Sequence, residues 1–137
     1  MNGLLLDTSA LIYLFERKDS VVIDLVRSHG GEFVASLMSL AELHRGAESA
    51  ADRSVRAARQ RTIAAVQMHA EIAVPTSIIA KRWGALAAAT PRSVGANDLW
   101  IAATGLELSL TLVAGDKRLV KVVEQAKGHA VLVDSSM

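Results

Sequence analysis

Near its start the chain carries an apolar run with no alternation, Leu4-Leu5-Leu6, closed by Asp7, Thr8 and Ser9. A half-exposed strand alternates with period two, so an unbroken run reads as a strand buried on both faces. That is the pattern of a parallel sheet covered by helices. Downstream the spacing changes to the helical period. Leu11, Ile12, Leu14 and Phe15 predict a short helix ending in the polar run Glu16-Arg17-Lys18-Asp19. Ser20 is expected to cap a second helix carrying Val22, Ile23, Leu25 and Val26, which Gly30 and Gly31 terminate. Residues 33–35 predict a second strand. Ser36 and Ser39 then precede a helix through Leu40, Leu43 and Ala47, with Glu42 on its first turn.

The Ala- and Arg-rich stretch 51–71 has no breaker and predicts a long helix. Residues 72–74 predict a third strand, and Pro75-Thr76 open a helix with Ile78, Ile79, Trp83 and Leu86 on one face. Residues 90–95 form the main loop, after which Asn97 is expected to cap a helix over 98–108. A fourth strand over 111–113 runs to Gly115-Asp116, a last helix over 118–126 stops at Gly128, and 130–133 predict a fifth strand. Strands alternating with helices predict an α/β fold with a parallel sheet. A chain of 137 residues reads as one domain, 1–137.

Composition narrows the chemistry. Hydrophobic residues make up 51% of the chain, which excludes disorder. There is no Cys, so disulfides and thiolate metal sites are excluded and a reducing compartment fits. No charged leader with an apolar core and no span of ~20 apolar residues is present, so a cytoplasmic protein is expected. The net charge of +1 gives no global attraction to nucleic acid, and any such binding must come from local patches.

Four acids stand out by position. Asp7 and Asp116 end apolar strands, Glu42 follows the second strand, and Asp98 lies just behind Asn97. In open parallel sheets ligands bind outside the carboxyl ends of the strands, which is where Asp7, Glu42 and Asp116 fall. The helix of Asp98 precedes the fourth strand, so its start is expected at the opposite edge unless the loop 90–95 carries it across. Each acid also has a bland explanation. Asp7 and Asp116 suit helix caps or turns, Ser39 to Glu42 matches a capping box, and Asp98 suits a helix dipole. Taken together, four like charges are costly unless a cation neutralises them. An oxygen-only set with no Cys and no clustered His suits Mg²⁺ or Mn²⁺ and not zinc.

The segments LLLDTSALIYLF, SLMSLAELHRGA and ANDLWIAATGLELSLTLVAGDKRLV, with the closing VLV strand, resemble the PIN-domain ribonucleases, most of all the VapC-like toxins of toxin–antitoxin pairs. The resemblance covers essentially the whole chain. It implies a three-layer fold with about five parallel strands in the order 3-2-1-4-5, flanked by helices. It also implies that Asp7, Glu42, Asp98 and Asp116 are the catalytic and metal-binding acids, and it places Asp98 in the same pocket. Thr8 and Ser9 match the hydroxyl pair that supports the first acid, Asn97 accompanies Asp98, and Gly46 stands where a small residue is frequent. One departure is Ala114, where the family commonly has Thr or Ser two residues before the fourth acid.

The implied activity is Mg²⁺- or Mn²⁺-dependent endoribonuclease cleavage by a toxin. The implied partners are RNA, a small antitoxin and a second copy of the chain. Arg45, Arg92, Lys117 and Arg118 neighbour the acids and could hold the RNA backbone. Arg45 could instead pair with Glu42. Arg53, Arg56, Arg59 and Arg61 spread around their helix and read as a solvated face. His29, His44 and His69 share no ligand spacing, and Trp83 and Trp100 read as core. A haloacid-dehalogenase-type phosphatase needs a second Asp where Ser9 stands. A receiver domain needs an Asp ending the third strand, where the chain has Val74-Pro75. The remaining alternative is a non-catalytic PIN-like module that binds RNA or protein.

Overall fold

The computed structural model describes residues 2–133; Met1 and residues 134–137 of the expected 1–137 domain lie outside the described residues. In chain order the elements are β1 (Leu4–Leu6), α1 (Thr8–Phe15), α2 (Ser20–Ser28), β2 (Val34–Ser36), α3 (Leu37–Ser49) and α4 (Arg53–His69). They continue with β3 (Glu71–Ala73), α5 (Ser77–Ala89), α6 (Ala96–Glu107), β4 (Thr111–Ala114), α7 (Lys117–Gln125) and β5 (Ala130–Leu132). The strands form one sheet in the order β3-β2-β1-β4-β5, parallel throughout. This is the expected α/β arrangement.

β1 is central, and its three leucines divide between the two faces. Leu4 and Leu6 pack with residues of α1 to α4, while Leu5 packs with residues of α5, α6 and α7. All three are buried, which is why the run needs no alternation. In register, Leu5 sits beside Val34 of β2 and Leu112 of β4, and the Asp7 amide extends the ladder to the Val113 carbonyl at 3.0 Å. The first acid is therefore held at the end of the most buried strand.

Several helix starts differ from expectation. Asp19, not Ser20, caps α2, its Oδ1 accepting from the amides of Val21 at 3.0 Å and Val22 at 3.2 Å. Asp52 caps the long helix, which begins at Arg53. Ser36 caps α3, which starts at Leu37, so Ser39 lies inside the helix and Glu42 on its second turn. The Ser39–Glu42 capping box does not form. Gly95 occupies the N-cap of α6 with no side-chain bond, so Asn97 is not a cap. The first three share one geometry: each cap has an extended backbone, and its side-chain oxygen accepts a free amide of the first turn. The ends fare better, since Gly30 and Gly31 close α2 with φ of 70° and 79°.

Candidate active site

Asp7 and Asp116 follow β1 and β4 directly, while Glu42 stands on the second turn of α3, the helix that follows β2. Asp7 ends β1 and is the N-cap of α1. Its Oδ1 accepts the Ala10 amide and the Ser9 hydroxyl, both at 2.8 Å. Its other oxygen, Oδ2, receives no donor among the described residues. Asp116 follows β4 and caps α7, Oδ1 accepting the Arg118 amide at 2.8 Å. Both acids thus do the capping their positions suggested. Capping uses one carboxylate oxygen of each.

Glu42 reaches the first acid's neighbourhood through Thr8, whose hydroxyl donates to Glu42 Oε1 at 2.8 Å. The hydroxyl pair therefore divides its work: Ser9 supports Asp7, and Thr8 supports the second acid, not the first.

Asp98 sits on the first turn of α6. Element order alone puts this start at the far edge unless the loop carries it across, whereas the resemblance implies the pocket edge; it lies at the carboxyl edge, for a reason of reach. Only residues 108–110 join α6 to β4, and three residues extend at most ~11 Å, whereas a 12-residue helix is ~18 Å long. The end of α6 must adjoin the start of β4, which leaves its own start at the carboxyl edge. The preceding hairpin partner, α5, makes the crossing. Trp83 of α5 stacks on Trp100 of α6 with ring centres 5.6 Å apart, and its Nε1 donates to the Ala96 carbonyl at 3.2 Å. These tryptophans are packing residues, as expected, and they pin the turn that carries Asp98.

The electrostatics join the four acids. Asp7 is 5% exposed, and burial pushes its carboxyl from 3.8 up to about 6. The bonds from Ala10 and Ser9 oppose this, while the carboxylates of Asp98 and Asp116 push further up. Asp98 is also raised, chiefly by burial, then by Asp116 and Glu42, with Arg118 opposing. Asp98 thus feels all three of the other acids. Among the described residues no three His, Asp or Glu side chains close into a ready metal cage, so the carboxylates converge loosely. A concavity of about 410 Å³ at the amino ends of β1 and β2 contains none of them.

The basic neighbours separate into two groups. Lys117 and Arg118 are exposed at the start of α7, and Arg118 Nη1 approaches the Ser93 carbonyl at 3.4 Å, next to the loop residue Arg92. Arg45 is exposed and forms no ion pair with Glu42, whereas Arg82 pairs with Glu107 at 2.8 Å. On α4, Arg56 and Arg59 bond the carbonyls of Glu48 and Gly46 at 3.0 and 2.7 Å, closing the end of α3, while Arg53 and Arg61 are exposed. Gly46 is not a close-contact site, since a Cβ there would lie 3.8 Å from the Arg59 guanidinium.

Gly115 belongs to the site although sequence position did not single it out. A Cβ there would lie 2.8 Å from Ser9 Oγ and 3.1 Å from the Tyr13 ring and hydroxyl. Its glycine lets β4 turn directly against α1. The adjacency of a glycine to a strand-ending acid was the available signal.

A PIN domain family model matches residues 4–125. A comparison with curated proteins gives no match. Among solved structures, the chain is similar to one in VapBC-5 of Mycobacterium tuberculosis, a member of the VapBC family of toxin–antitoxin systems. The identity is 27%, the TM-score is 0.77, and 97% of this chain and 100% of the other are covered. It is also similar to a chain of VapBC2 from Rickettsia felis bound to a promoter DNA fragment, with 18% identity, TM-score 0.79 and coverage of 96% and 98%. FitAcB of Neisseria gonorrhoeae gives 19%, 0.74, and 93% and 95%. The last two carry the fold alone. With the match spanning β1 to α7 and the sheet order observed, the chain belongs to the PIN domain family.

Proposed function

We propose that this protein is a divalent-metal-dependent endoribonuclease and the toxin of a toxin–antitoxin pair. The observation that carries the reading is the position of Asp98, within electrostatic reach of Asp7, Glu42 and Asp116 at one sheet edge. Family membership and the VapBC complexes among its structural neighbours support the same assignment. The residues fit Mg²⁺ or Mn²⁺. The donors are carboxylate oxygens, Asp7 keeps an oxygen without a donor, and two of the acids are held above their ordinary range by burial and by one another. A cation relieves that repulsion.

Asp7, Glu42 and Asp98 would hold the ion, with Asp116 closing the ring. When bound, the ion supplies an acidified water and charge stabilisation at a phosphoryl group. The chain's own part is orientation. Ser9 and the Ala10 amide fix the Asp7 carboxylate, Thr8 fixes Glu42, and the tryptophan pair fixes the start of α6. Lys117 and Arg118, with Arg92 and Arg45 beyond, would contact RNA phosphates and balance an edge that otherwise repels them. An antitoxin and a second copy of the chain are the proposed protein partners. No described helix is long and apolar enough to cross a membrane, and we assign the protein to the cytoplasm.

The test is cleavage of a mixed pool of structured RNAs with Mg²⁺, with Mn²⁺ and with EDTA, beside Asp98→Asn. Metal-dependent cutting that the variant lacks is the expected result. A folded, antitoxin-free protein that cuts nothing with either metal, or an active Asp98→Asn, overturns the assignment.

A further inference from the structure

The turn between β4 and α7 carries Asp116, yet Ala114, the residue that ends β4, is fully buried and offers no hydrogen-bonding side chain. The turn is tied instead from the other end of the chain. Ser9 Oγ accepts the Gly115 amide at 2.9 Å and donates its proton to Asp7 Oδ1 at 2.8 Å. One hydroxyl thus uses its donor and an acceptor site to join the acid after β1 to the residue before the acid after β4. The approach depends on a missing side chain, because a Cβ on Gly115 would fall 2.8 Å from that same Oγ. Contacts of that length require a shift, and the Ser9 hydroxyl is the nearest group, ahead of Tyr13 at 3.1 Å.

We propose that Ser9 is a positioning residue that sets the separation of Asp7 and Asp116 through the Gly115 amide. Its consequence for catalysis rests on the nuclease reading above. Each acid also caps its own helix, which fixes it relative to that helix start. What remains to be fixed is the placement of one relative to the other. The β1–β4 ladder fixes it only as far as the Asp7 amide on Val113. The Ser9 bridge extends that ladder by one side-chain rung, at the level of the carboxylates.

The experiment titrates Mn²⁺ calorimetrically into the wild type, Ser9→Ala, Ser9→Thr, Gly115→Ala and the Ser9→Ala/Gly115→Ala double variant. Exchange of the Gly115 amide is measured in the same proteins without metal. Ser9→Ala is expected to weaken Mn²⁺ binding about 10-fold, the range for a group that orients a metal ligand. It should also speed Gly115 amide exchange, and Ser9→Thr should restore both. Gly115→Ala weakens Mn²⁺ binding by displacing the hydroxyl, so the double variant is no worse than the worse single one. Equal Mn²⁺ affinity and equal Gly115 exchange in Ser9→Ala and wild type overturn the proposal, as do losses that simply add. If Ser9→Ala fails to fold, a Gly115→Ala protein that binds Mn²⁺ like the wild type overturns it instead. A wild type that binds no Mn²⁺ overturns the metal reading alone, and Gly115 exchange in the metal-free protein still decides the bridge.

Discussion

Asp7 is pulled in two directions. Its cap bonds favour the carboxylate, and burial with two neighbouring acids disfavours it more strongly, leaving the group near 6. The folded pKa lies above the unfolded value of 3.8, so between the two the folded state binds more protons. The contribution of Asp7 to metal-free stability is therefore most favourable at low pH, falls as pH rises through this window, and stays reduced above it. Asp7→Asn removes the charge and keeps an acceptor for Ala10. In EDTA it is expected to be more stable than wild type at pH 8, by at most about 3 kcal/mol, with the gap closing near pH 4. Urea unfolding at both pH values checks this, and the same variant should have lost RNA cleavage. Thr8 supplies the second residue-scale prediction. Thr8→Val frees Glu42 from its 2.8 Å bond and should lower Mn²⁺ affinity about 10-fold, and Thr8→Ser should restore it. That an acid ends the first strand was legible from Leu4 to Asp7. Which hydroxyl serves which acid was not, because Thr8 meets a residue 34 positions away.

Among the elements, type was legible and termini were not. Apolar runs, helical spacing and breaker residues pointed to every strand and helix, since they reflect which faces pack on the sheet. Caps were assigned to Ser20, Ser39 and Asn97, but Asp19, Ser36 and Gly95 hold those places. Several short residues near a helix start can serve, and only the backbone conformation there selects one. Tight packing between elements makes a further prediction at this scale. A Cβ on Gly128, between α7 and β5, would fall 2.5 Å from Leu106 Cδ2 and 2.8 Å from Val123 Cγ1. Gly128→Ala should cost about 1–3 kcal/mol by overpacking, measured by thermal or urea unfolding. Because Gly128 is remote from the acids, cleavage below the melting transition should be unchanged.

For the whole molecule, burial and neighbouring carboxylates at one sheet edge hold Asp7 and Asp98 above their ordinary range, and the proposed divalent ion would relieve this. A divalent ion that binds only the folded state should raise the melting temperature. At a hundred times its dissociation constant the gain is about 2.7 kcal/mol, several degrees for a domain of this size. Mn²⁺ against NaCl of matched ionic strength is the measurement, and Asp98→Asn should lose most of the shift. A parallel sheet followed from strands alternating with helices. The order 3-2-1-4-5 came with the resemblance, because alternation leaves open which strands are neighbours.

The sequence by itself determined the α/β class, the central place of the leucine strand, and the four acids as candidates. Those follow from local period and from where the acids fall relative to the predicted strands and helix starts. Only the tertiary structure decided that Asp98 joins the other three, because that depends on α5 making the crossing and on the short reach of residues 108–110. It also decided that Ser9 bridges Asp7 to Gly115, 106 residues apart in sequence. Local chemistry can propose a carboxylate. Long-range packing alone can put two of them at a fixed separation.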